Sequence, residues 1–496
     1  MFEIAEVGSQ VSKEEYEAQV PHLRVNLINA QYDLRNANFP SLVLIVGDDQ
    51  HGCNEVLNLL HEWMDARYLG THVFGPLSEE EREHPRFWRY WRTLPRKGQF
   101  GVYVGAWARS AIADRVQERI SDREFERRTA HIAQFEQALV DDGALVLKFW
   151  LHLPKKALKR RLKKKKNKGW RRDEEGWQVY EAYDEALPIV ERLIRKTSTG
   201  SAPWHVVETT DEPYRNLAVA RMILDRLTAR LATGKAAKPQ RAERRARRAT
   251  VAEFGVSVLD TVDLTTALPW EAYKKMLDGL QDRLQSLAQR AREKSVSSVL
   301  VFEGWDAAGK GGVIRRITRA LDAADYRVVP IGAPSEEEKA HHYLWRFWQQ
   351  LPRAGNMLIF DRSWYGRVLV ERVEGLAPVE VWQRAYSEIN DFEEQLTEHG
   401  TVVLKFWLHI DPATQLRRFK EREKTPYKKY KLTAEDYRNR EKWDDYVTAV
   451  NEMVARTSTD VAPWKLVAAN DKRWARVEVL KTICQSLKQA LKSSGQ

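Results

Sequence analysis

The segment FEGWDAAGKGG carries residue types that bind phosphate, at a spacing that favours this role. Gly304 and Gly309 are separated by four residues and Lys310 follows, as in the phosphate-binding loop of nucleotide-hydrolysing enzymes. That loop normally continues with Ser or Thr, whose hydroxyl binds Mg²⁺, but Gly311 stands there in this chain. The loop also contains an additional carboxylate, Asp306. The sequence therefore predicts phosphate chemistry in which the carboxylate of Asp306 either replaces the hydroxyl or holds the metal and orients the nucleophile.

The residues on either side place this loop between a strand and a helix. The apolar run SSVLVFEG precedes it, and VIRRITRALD, with a helical pattern, follows. Glycines let the backbone approach phosphate oxygens closely, and the free amides at a helix start bind anions. We therefore predict phosphate contacts from Lys310 and from four glycines: Gly304, Gly309, Gly311 and Gly312. The alternative is a plain glycine-rich turn, which would not need the lysine.

A second acidic residue, Asp361, closes the apolar run NMLIFD. An Asp at the end of a neighbouring strand is the usual second magnesium anchor in phosphate-loop enzymes. Because Mg²⁺ prefers oxygen ligands, Asp306 and Asp361 together predict a magnesium site beside the phosphates. Arg362 follows directly, and a guanidinium there can neutralise charge on a transferring phosphoryl group. The alternative role for Asp361 is a helix N-cap.

The segment QLRRFKEREKTPYKKYKLTAEDYRNREK is rich in Lys and Arg and is interrupted by Pro426. The pattern predicts two helices joined by a basic turn, which together would form a lid that closes over phosphates. Arg418 and Arg422 are four residues apart and therefore share one helix face. We predict that Arg418 binds phosphate. A solvated charged face is the alternative.

The elements that position these residues occur twice in the chain. PLSEEEREHPRFWRYWRTLPRKG in the first half matches APSEEEKAHHYLWRFWQQLPRAG in the second, with Ser78 and Ser335 at an offset of 257 residues. The hexapeptide LKFWLH occurs in both halves at the same offset. Such agreement predicts a duplicated domain. We assign residues 1–232 and 257–496 to the two copies, and the basic stretch 233–256 to a linker.

Each copy alternates apolar, β-branched runs with longer helical patterns. In the second half the runs include SSVLVFEG, NMLIFD and GTVVLKFWLHI. Runs of this kind suit strands that are buried on both faces of a parallel sheet. Their alternation with helices predicts βαβ units, and hence an α/β protein with two copies of a three-layer α/β/α domain.

The two copies differ in chemistry. At aligned positions three substitutions remove the predicted groups: Cys53 for Lys310, Val104 for Asp361 and Gly105 for Arg362. A thiol lacks the charge of lysine and valine cannot bind Mg²⁺, so we predict that residues 1–232 are catalytically silent. The run KKALKRRLKKKKNKGWRR has twelve Lys or Arg among eighteen residues and no acid, so it could still dock a polyanion. Its alternative is a solvated face neutralised by counterions.

Composition limits the class of protein. Of the 496 residues, 43% are hydrophobic and 30% charged, which indicates a globular chain. The formal net charge of +11 indicates a polyanionic partner, such as nucleic acid, an anionic membrane or polyphosphate. We find no apolar run long enough to span a bilayer and no secretory pattern at the N-terminus. The two cysteines, Cys53 and Cys484, fit a reducing cytoplasm, where we expect the protein.

Together, FEGWDAAGKGG, FDRSWYGRVLVERVEG, VLKFWLHI and EDYRNREKW resemble the pattern of the type-2 polyphosphate kinases. The resemblance covers the second half from about Asp263, and a degraded copy covers the first half. It implies a phosphate-loop kinase-like fold, similar to thymidylate kinase, with a helical lid. It also implies essential roles for five residues: Asp306, Lys310, Asp361, Arg362 and Arg422.

The activity that this resemblance implies is Mg²⁺-dependent phosphoryl transfer between inorganic polyphosphate and a nucleotide. The fused two-domain layout resembles that of family members that make ADP from AMP. We expect direct in-line transfer, because no histidine is placed to form a covalent phospho-intermediate. We further expect polyphosphate and AMP or ADP as partners, assembly into a homo-oligomer, and no nucleic acid or membrane partner.

Two other classes of protein stay open at this point. An ATP-dependent small-molecule or nucleotide kinase would share the loop and Asp361, but not obviously Asp306 or so basic a lid. A nucleic-acid-binding protein would use the basic stretches, but would leave the phosphate loop without a role.

Overall fold

The computed structural model of the chain describes residues 1–167, 174–236, 257–425 and 434–493. Most of the predicted linker, residues 237–256, and the turn of the predicted lid, residues 426–433, therefore lie outside the described part. The basic run KKALKRRLKKKKNKGWRR is helical as far as residue 167, and the structure describes its side chains only up to residue 163.

The first half of the chain forms a five-stranded parallel sheet with the spatial order β2-β3-β1-β4-β5. Its strands are β1 (Ser41–Gly47), β2 (Leu69–Val73), β3 (Phe100–Val104), β4 (Leu145–His152) and β5 (Trp204–Glu208). The helices of this half are α1 (Lys13–Leu34), α2 (Gln50–Trp63), α3 (Glu79–Arg82), α4 (Trp88–Trp91), α5 (Trp107–Val116), α6 (Asp122–Asp141), α7 (Lys155–Asn167), α8 (Glu174–Glu181), α9 (Tyr183–Thr197) and α10 (Glu212–Ala236).

The second half forms a second parallel sheet with the spatial order β7-β8-β6-β9-β10. Its strands are β6 (Ser298–Gly304), β7 (Tyr326–Pro330), β8 (Met357–Asp361), β9 (Val402–His409) and β10 (Trp464–Ala468). The helices of this half are α11 (Trp270–Glu293), α12 (Lys310–Thr318), α13 (Glu336–Lys339), α14 (Trp345–Trp348), α15 (Val370–Val373), α16 (Val379–Glu398), α17 (Pro412–Glu423), α18 (Ala434–Glu441), α19 (Trp443–Thr457) and α20 (Lys472–Ser493). No helix in the described ranges is long and apolar enough to cross a membrane.

The two sheets repeat each other in topology and in register. Ser41 of β1 pairs with Leu145 of β4, and Ser298 of β6 pairs with Val402 of β9, both at the repeat offset. The central strands are buried along almost their whole length, which requires helices on both faces. The prediction of a duplicated α/β fold is therefore confirmed.

Both sheets contain the same buried ion pair. Lys148 Nζ on β4 donates to Glu136 Oε2 on α6 (2.6 Å), and Lys405 Nζ on β9 donates to Glu393 Oε2 on α16 (2.6 Å). All four side chains are at most 3% exposed. Because the pair occurs in the copy that lacks the predicted chemistry as well, it belongs to the fold and not to the site.

The chain forms two compact units whose composition differs from a simple division of the sequence. The first unit contains Ser335–Trp345, a segment of the second half, and the second unit contains Leu77–Trp88, a segment of the first half. Within the first unit, Lys97 N–H donates to the carbonyl oxygen of Ala340 (2.9 Å). The predicted division of the chain, at residues 232 and 257, assigns each of these two segments to its own half of the sequence.

Candidate active site

The predicted phosphate-binding loop lies between β6 and α12. Gly304, the last residue of β6, has φ = 142°, and a Cβ atom there would lie 2.5 Å from the carbonyl oxygen of Leu408. Gly309 caps α12 with φ = 116°, in the region that favours glycine. Ala307 also has a positive φ, 62°. The loop is thus a tightly turned segment that ends where the free amides of α12 begin.

Gly311 and Gly312 lie in the first turn of α12. Nothing lies within 4 Å of a Cβ atom built on Gly311, and one built on Gly312 would make ordinary contact, 3.5 Å from Arg476. The fold therefore has room for side chains at both positions. Their absence leaves space for an anion at this turn, which is compatible with the predicted phosphate contact at Gly311. The amide of Gly312 instead donates to the carbonyl oxygen of Gly309 (2.9 Å).

A cleft of about 700 Å³ adjoins the loop. Its lining includes seven cationic residues, Lys310, Arg315, Arg362, Arg418, Arg422, Lys472 and Arg476, and four acidic ones, Asp306, Asp361, Glu421 and Asp436. This excess of cations favours an anionic ligand. Every residue predicted for the site lines the cleft except Gly304, which lines a neighbouring cavity of about 80 Å³.

Lys310, the first residue of α12, folds back on the loop. Its Nζ donates to the carbonyl oxygens of Gly304 (2.7 Å) and Trp305 (3.4 Å). These contacts hold the ammonium group at the wall of the cleft.

Asp306 is held by side chains from distant parts of the chain. Arg362 Nη2 donates to its Oδ1 (3.2 Å), and Asn439 Nδ2 on α18 donates to its Oδ2 (3.0 Å). Gln415 Nε2 on α17 donates to its backbone oxygen (3.2 Å). The loop carboxylate is thus held by the residue that follows β8 and by α18, while α17 holds the backbone of the same residue.

Arg362 has an unusual backbone conformation, with φ = 67°. For a residue with a Cβ atom this conformation costs roughly 1–2 kcal/mol, so neighbouring contacts must hold it. Burial lowers the pKa of its guanidinium, but Asp306, Glu303 and Asp361 outweigh this effect, and the pKa is raised above its ordinary value. Arg362 therefore stays a cation at the junction of three carboxylates.

Asp361 ends β8 and pairs in register with Phe302 of β6, so it lies at the carboxyl end of the sheet beside the loop. The 3₁₀ turn Trp364–Arg367 that follows is capped by Ser363, which excludes the N-cap alternative for Asp361. In phosphate enzymes Mg²⁺ takes one or two carboxylates and completes its shell with water and phosphate oxygens. Asp306 and Asp361 line the same cleft and fit this donor set.

Arg418 has a different role from the one that the sequence suggests. Its Nη1 donates to the carbonyl oxygens of Ala307 and Ala308 (2.9 Å each), and its Nη2 to those of Ala469 (2.7 Å) and Asn470 (3.0 Å). The side chain is 3% exposed, and burial lowers its pKa to about 10. These contacts favour a role in fixing the loop against the end of β10 over the predicted phosphate contact.

Arg422 lies one turn further along α17 and also lines the cleft, so the two arginines share a helix face as their spacing predicts. The predicted pair of lid helices corresponds to α17 and α18. Arg440 Nη1 on α18 donates to the carbonyl oxygen of Pro412 at the start of α17 (2.7 Å), which ties the two helices together.

Several residues of the site were not predicted from the sequence. Lys472 and Arg476 line the cleft from the first turns of α20, where their spacing of four residues was the available signal. Asn439 lies in the motif EDYRNREKW and Glu303 in FEGWDAAGKGG, but neither was predicted as a site residue. Glu303 is buried and accepts a hydrogen bond from Ser363 Oγ (2.8 Å). Burial raises the pKa of Glu303, and the nearby cations oppose this shift.

Comparison with protein families gives two matches to the model of polyphosphate kinase 2, over residues 10–235 and 268–495. The chain belongs to the polyphosphate kinase 2 family. It is 50% identical over 498 residues to the polyphosphate:AMP phosphotransferase of Pseudomonas aeruginosa, with 99% of each chain covered. It is 37% identical over 485 residues to the polyphosphate:AMP phosphotransferase of Acinetobacter johnsonii, with 94% of this chain and 96% of that protein covered.

A crystal structure of a polyphosphate kinase 2 from Pseudomonas aeruginosa has the same fold. It superposes with a TM-score of 0.90 at 49% sequence identity and covers 99% of both chains. The duplicated architecture is therefore that of an experimentally determined member of the polyphosphate kinase 2 family.

In the first polyphosphate kinase 2 copy, the segment aligned with the loop (the first loop) has a different conformation, because α2 begins at Gln50, the counterpart of Ala307, whereas α12 begins at Lys310. The charges of this segment are neutralised internally. Asp49, the counterpart of Asp306, caps α2 by accepting from Gly52 N–H (2.9 Å) and forms an ion pair with Arg161. Cys53 is buried, and burial raises the pKa of its thiol, so it stays neutral. Neither group is available for phosphate chemistry in this conformation.

Arg215 fills the space beside this first loop. Its guanidinium nitrogen lies 3.1 Å from the position of a Cβ atom on Gly52, and its side chain is fully buried. Nη1 donates to Glu55 Oε2 (2.6 Å). Ala475 stands at the corresponding position of the second copy. A cation with its own carboxylate partner thus stands beside the first loop, which supports the predicted catalytic silence.

Proposed function

We propose that the protein transfers the terminal phosphate of inorganic polyphosphate to AMP and so makes ADP. The observation that carries this proposal is the cation-rich cleft around a phosphate loop that has a carboxylate, Asp306, and no hydroxyl after its lysine. Full-length relatives that carry the name polyphosphate:AMP phosphotransferase support the choice of donor and acceptor.

The proposed reaction is a single in-line displacement. An oxygen of the AMP phosphate attacks the terminal phosphorus of the chain, the bridging P–O bond breaks, and the shortened chain leaves with the electron pair. Such transfer depends on positioning and on neutralising charge more than on covalent chemistry. None of the described residues that line the cleft is a histidine, so direct transfer needs no phosphohistidine.

The residues of the cleft divide this work. Lys310 and Arg422 balance the charge of the phosphate chain, and Arg362 neutralises charge at the transferring group. Asp306 and Asp361 would hold Mg²⁺, which supplies further neutralisation of the phosphate oxygens when bound. The amides at the start of α12 add hydrogen-bond donors to the same group.

The test is an assay of the purified chain with AMP, long-chain polyphosphate and Mg²⁺, with products separated by chromatography. We expect ADP to form without ATP, and not to form when Mg²⁺ is chelated. Parallel reactions with ADP or GMP as acceptor define the acceptor range, and ATP as sole donor tests the small-molecule kinase alternative. Phosphorylation of AMP by ATP alone would contradict the proposal.

We also propose a cytoplasmic location, which the two free and buried cysteines, Cys53 and Cys484, support. Fractionation of cells that express the chain tests it. The homo-oligomer stays a prediction that sedimentation of the purified protein can check, and the expected lack of nucleic-acid binding stays a prediction for salt-dependent gel shifts.

A further inference from the structure

One buried carboxylate beside the loop has no part in the proposed transfer. Glu303 directly precedes Gly304 on β6 and is only 5% exposed. Its Oε1 accepts a hydrogen bond from Ser363 Oγ (2.8 Å), and Ser363 is 3% exposed. A buried acid is costly unless it is paired, so the fold must gain something from this position.

The bond holds the backbone on the carboxyl side of Arg362. Ser363 is the next residue, and its Oγ also accepts from Tyr365 N–H (3.3 Å), so one hydroxyl joins β6 to the turn that follows β8. On the other side, Arg362 N–H donates to the carbonyl oxygen of Phe302 (3.0 Å). The strained residue is therefore fixed to β6 both at its own amide and through its neighbour.

The first copy forms the same turn without the polar pair. Its counterparts are Val46 for Glu303, Gly105 for Arg362 and Ala106 for Ser363. Gly105 has φ = 72°, nearly the value of Arg362, but glycine adopts it without strain. Val46 and Ala106 are 4% and 1% exposed, so both positions are buried and apolar there. The polar pair is present only where a residue with a side chain must be held in this conformation.

Glu303 differs in this respect from the buried acid of the fold. Glu136 and Glu393 occupy aligned positions, and each pairs with a lysine in its own copy. That acid persists where catalysis is absent, whereas Glu303 does not. Glu303 therefore occurs only in the copy that has the predicted catalytic residues, whereas the buried acid of the scaffold occurs in both.

We propose that Glu303 and Ser363 are positioning residues for phosphoryl transfer, which hold Arg362 in its left-handed conformation with its guanidinium beside Asp306. The inference rests on the proposed function and extends it to two residues that touch no substrate.

The test replaces the pair by the residues of the first copy, Glu303→Val with Ser363→Ala. We expect kcat to fall about 10- to 100-fold, the range typical when a residue that orients an active-site group is removed. KM for AMP and for polyphosphate is expected to change by no more than about threefold, because transition-state and not ground-state contacts are lost. The melting temperature is expected to stay equal or to rise, because apolar residues replace a buried acid.

Two single variants separate the hydrogen bond from mere packing. Ser363→Thr keeps the hydroxyl and is expected to stay near the wild-type kcat, whereas Ser363→Ala is expected to lose most of what the double variant loses. Glu303→Gln keeps an acceptor for Ser363 and is expected to retain more activity than the double variant. Equal kcat in the Thr and Ala variants would overturn the proposal.

The matched control is Glu136→Gln, which alters the buried acid of the first copy, because Glu393 itself accepts from Trp364 Nε1 and Tyr365 OH in the turn after Arg362. We expect a lower melting temperature and an unchanged kcat per folded molecule. A double variant within about twofold of the wild-type kcat, or one whose rate falls only with its folded fraction, overturns this inference. Failure of the proposed function is a separate outcome, because the wild-type protein itself would then make no ADP from AMP and polyphosphate.

Discussion

The two copies of the domain share their sheet order and register, but they differ in what binds the loop carboxylate. In the second copy Asp306 accepts from Arg362 and Asn439 at the wall of the cleft. Gly105 and Val179 stand at the positions of these two donors in the first copy. Asp49 there binds Arg161 and the start of α2 instead.

This difference shows which charges serve the fold and which serve the chemistry. The first copy keeps its buried lysine and glutamate and its turn after β3, so these parts of the scaffold need none of the groups that it has lost. The second copy keeps an excess of cations around an open cleft and holds Arg362 in a strained conformation. Such features reduce stability and are retained for function. Exchanging residues between aligned positions of the two copies tests this distinction.

The largest effect is expected when the second copy receives the residues of the first. Lys310→Cys and Asp361→Val should each reduce turnover by about 10²–10³, the value of one oriented electrostatic group by analogy with oxyanion-hole donors. Both variants should keep the wild-type melting temperature and circular dichroism spectrum, because the first copy folds with these residues. Near-normal turnover in either variant would place the phosphate site elsewhere.

A smaller but still large loss is expected for Asp306→Asn. The amide keeps the shape of the loop and loses the negative charge, so Mg²⁺ binding should weaken. Raising Mg²⁺ should restore only part of the rate, which a titration of initial rate against Mg²⁺ measures. Asp306→Ser is the sharper comparison, since it places a hydroxyl in the loop. Full speed in that variant would mean that the carboxylate has no special role.

Much of this site follows from short-range sequence signals. Gly304, Gly309 and Lys310 are predicted by a spacing that is typical of a phosphate-binding loop when it lies between a strand and a helix. Asp361 follows from the end of an apolar run, because parallel strands bring their carboxyl ends to one edge. The duplicated fold could also be predicted, because the repeat offset and the apolar runs are both local features of the sequence.

The remainder depends on contacts between residues that are far apart. Asn439 lies 133 residues from Asp306, and no local pattern links a lid amide to a loop carboxylate. Phosphate oxygens and backbone carbonyls both accept from guanidinium groups, so the sequence could not show that Arg418 binds carbonyls. A division of the sequence at its linker likewise does not show that Leu77–Trp88 belongs to the second unit and Ser335–Trp345 to the first.

A moderate effect is expected at an arginine that both copies keep. Arg418→Met removes four hydrogen bonds to backbone carbonyls and should lower stability by roughly 2–4 kcal/mol, measured by denaturant unfolding. Because two of these carbonyls belong to the phosphate loop, kcat should fall as well. The matched control is Arg161→Met in the first copy, which should lower stability without changing kcat. Equal kcat losses in both variants would contradict a loop-specific role.

The smallest effect is expected from the reverse exchange. Placing Cys53→Lys, Val104→Asp and Gly105→Arg in the first copy restores the three lost groups, and a Lys310→Cys background lowers the activity of the second copy so that a gain in the first copy can be measured. We expect no gain in turnover over that background, measured as ADP formed from AMP and polyphosphate. The reason is that Arg215 and Glu55 stand beside the first loop, where the second copy has Ala475 and Gly312. Adding Arg215→Ala and Glu55→Gly is the comparison that decides whether this pair is the obstacle. Substantial turnover from the three substitutions alone would show that the pair does not block the first loop, and that the loss of three residues accounts for its silence.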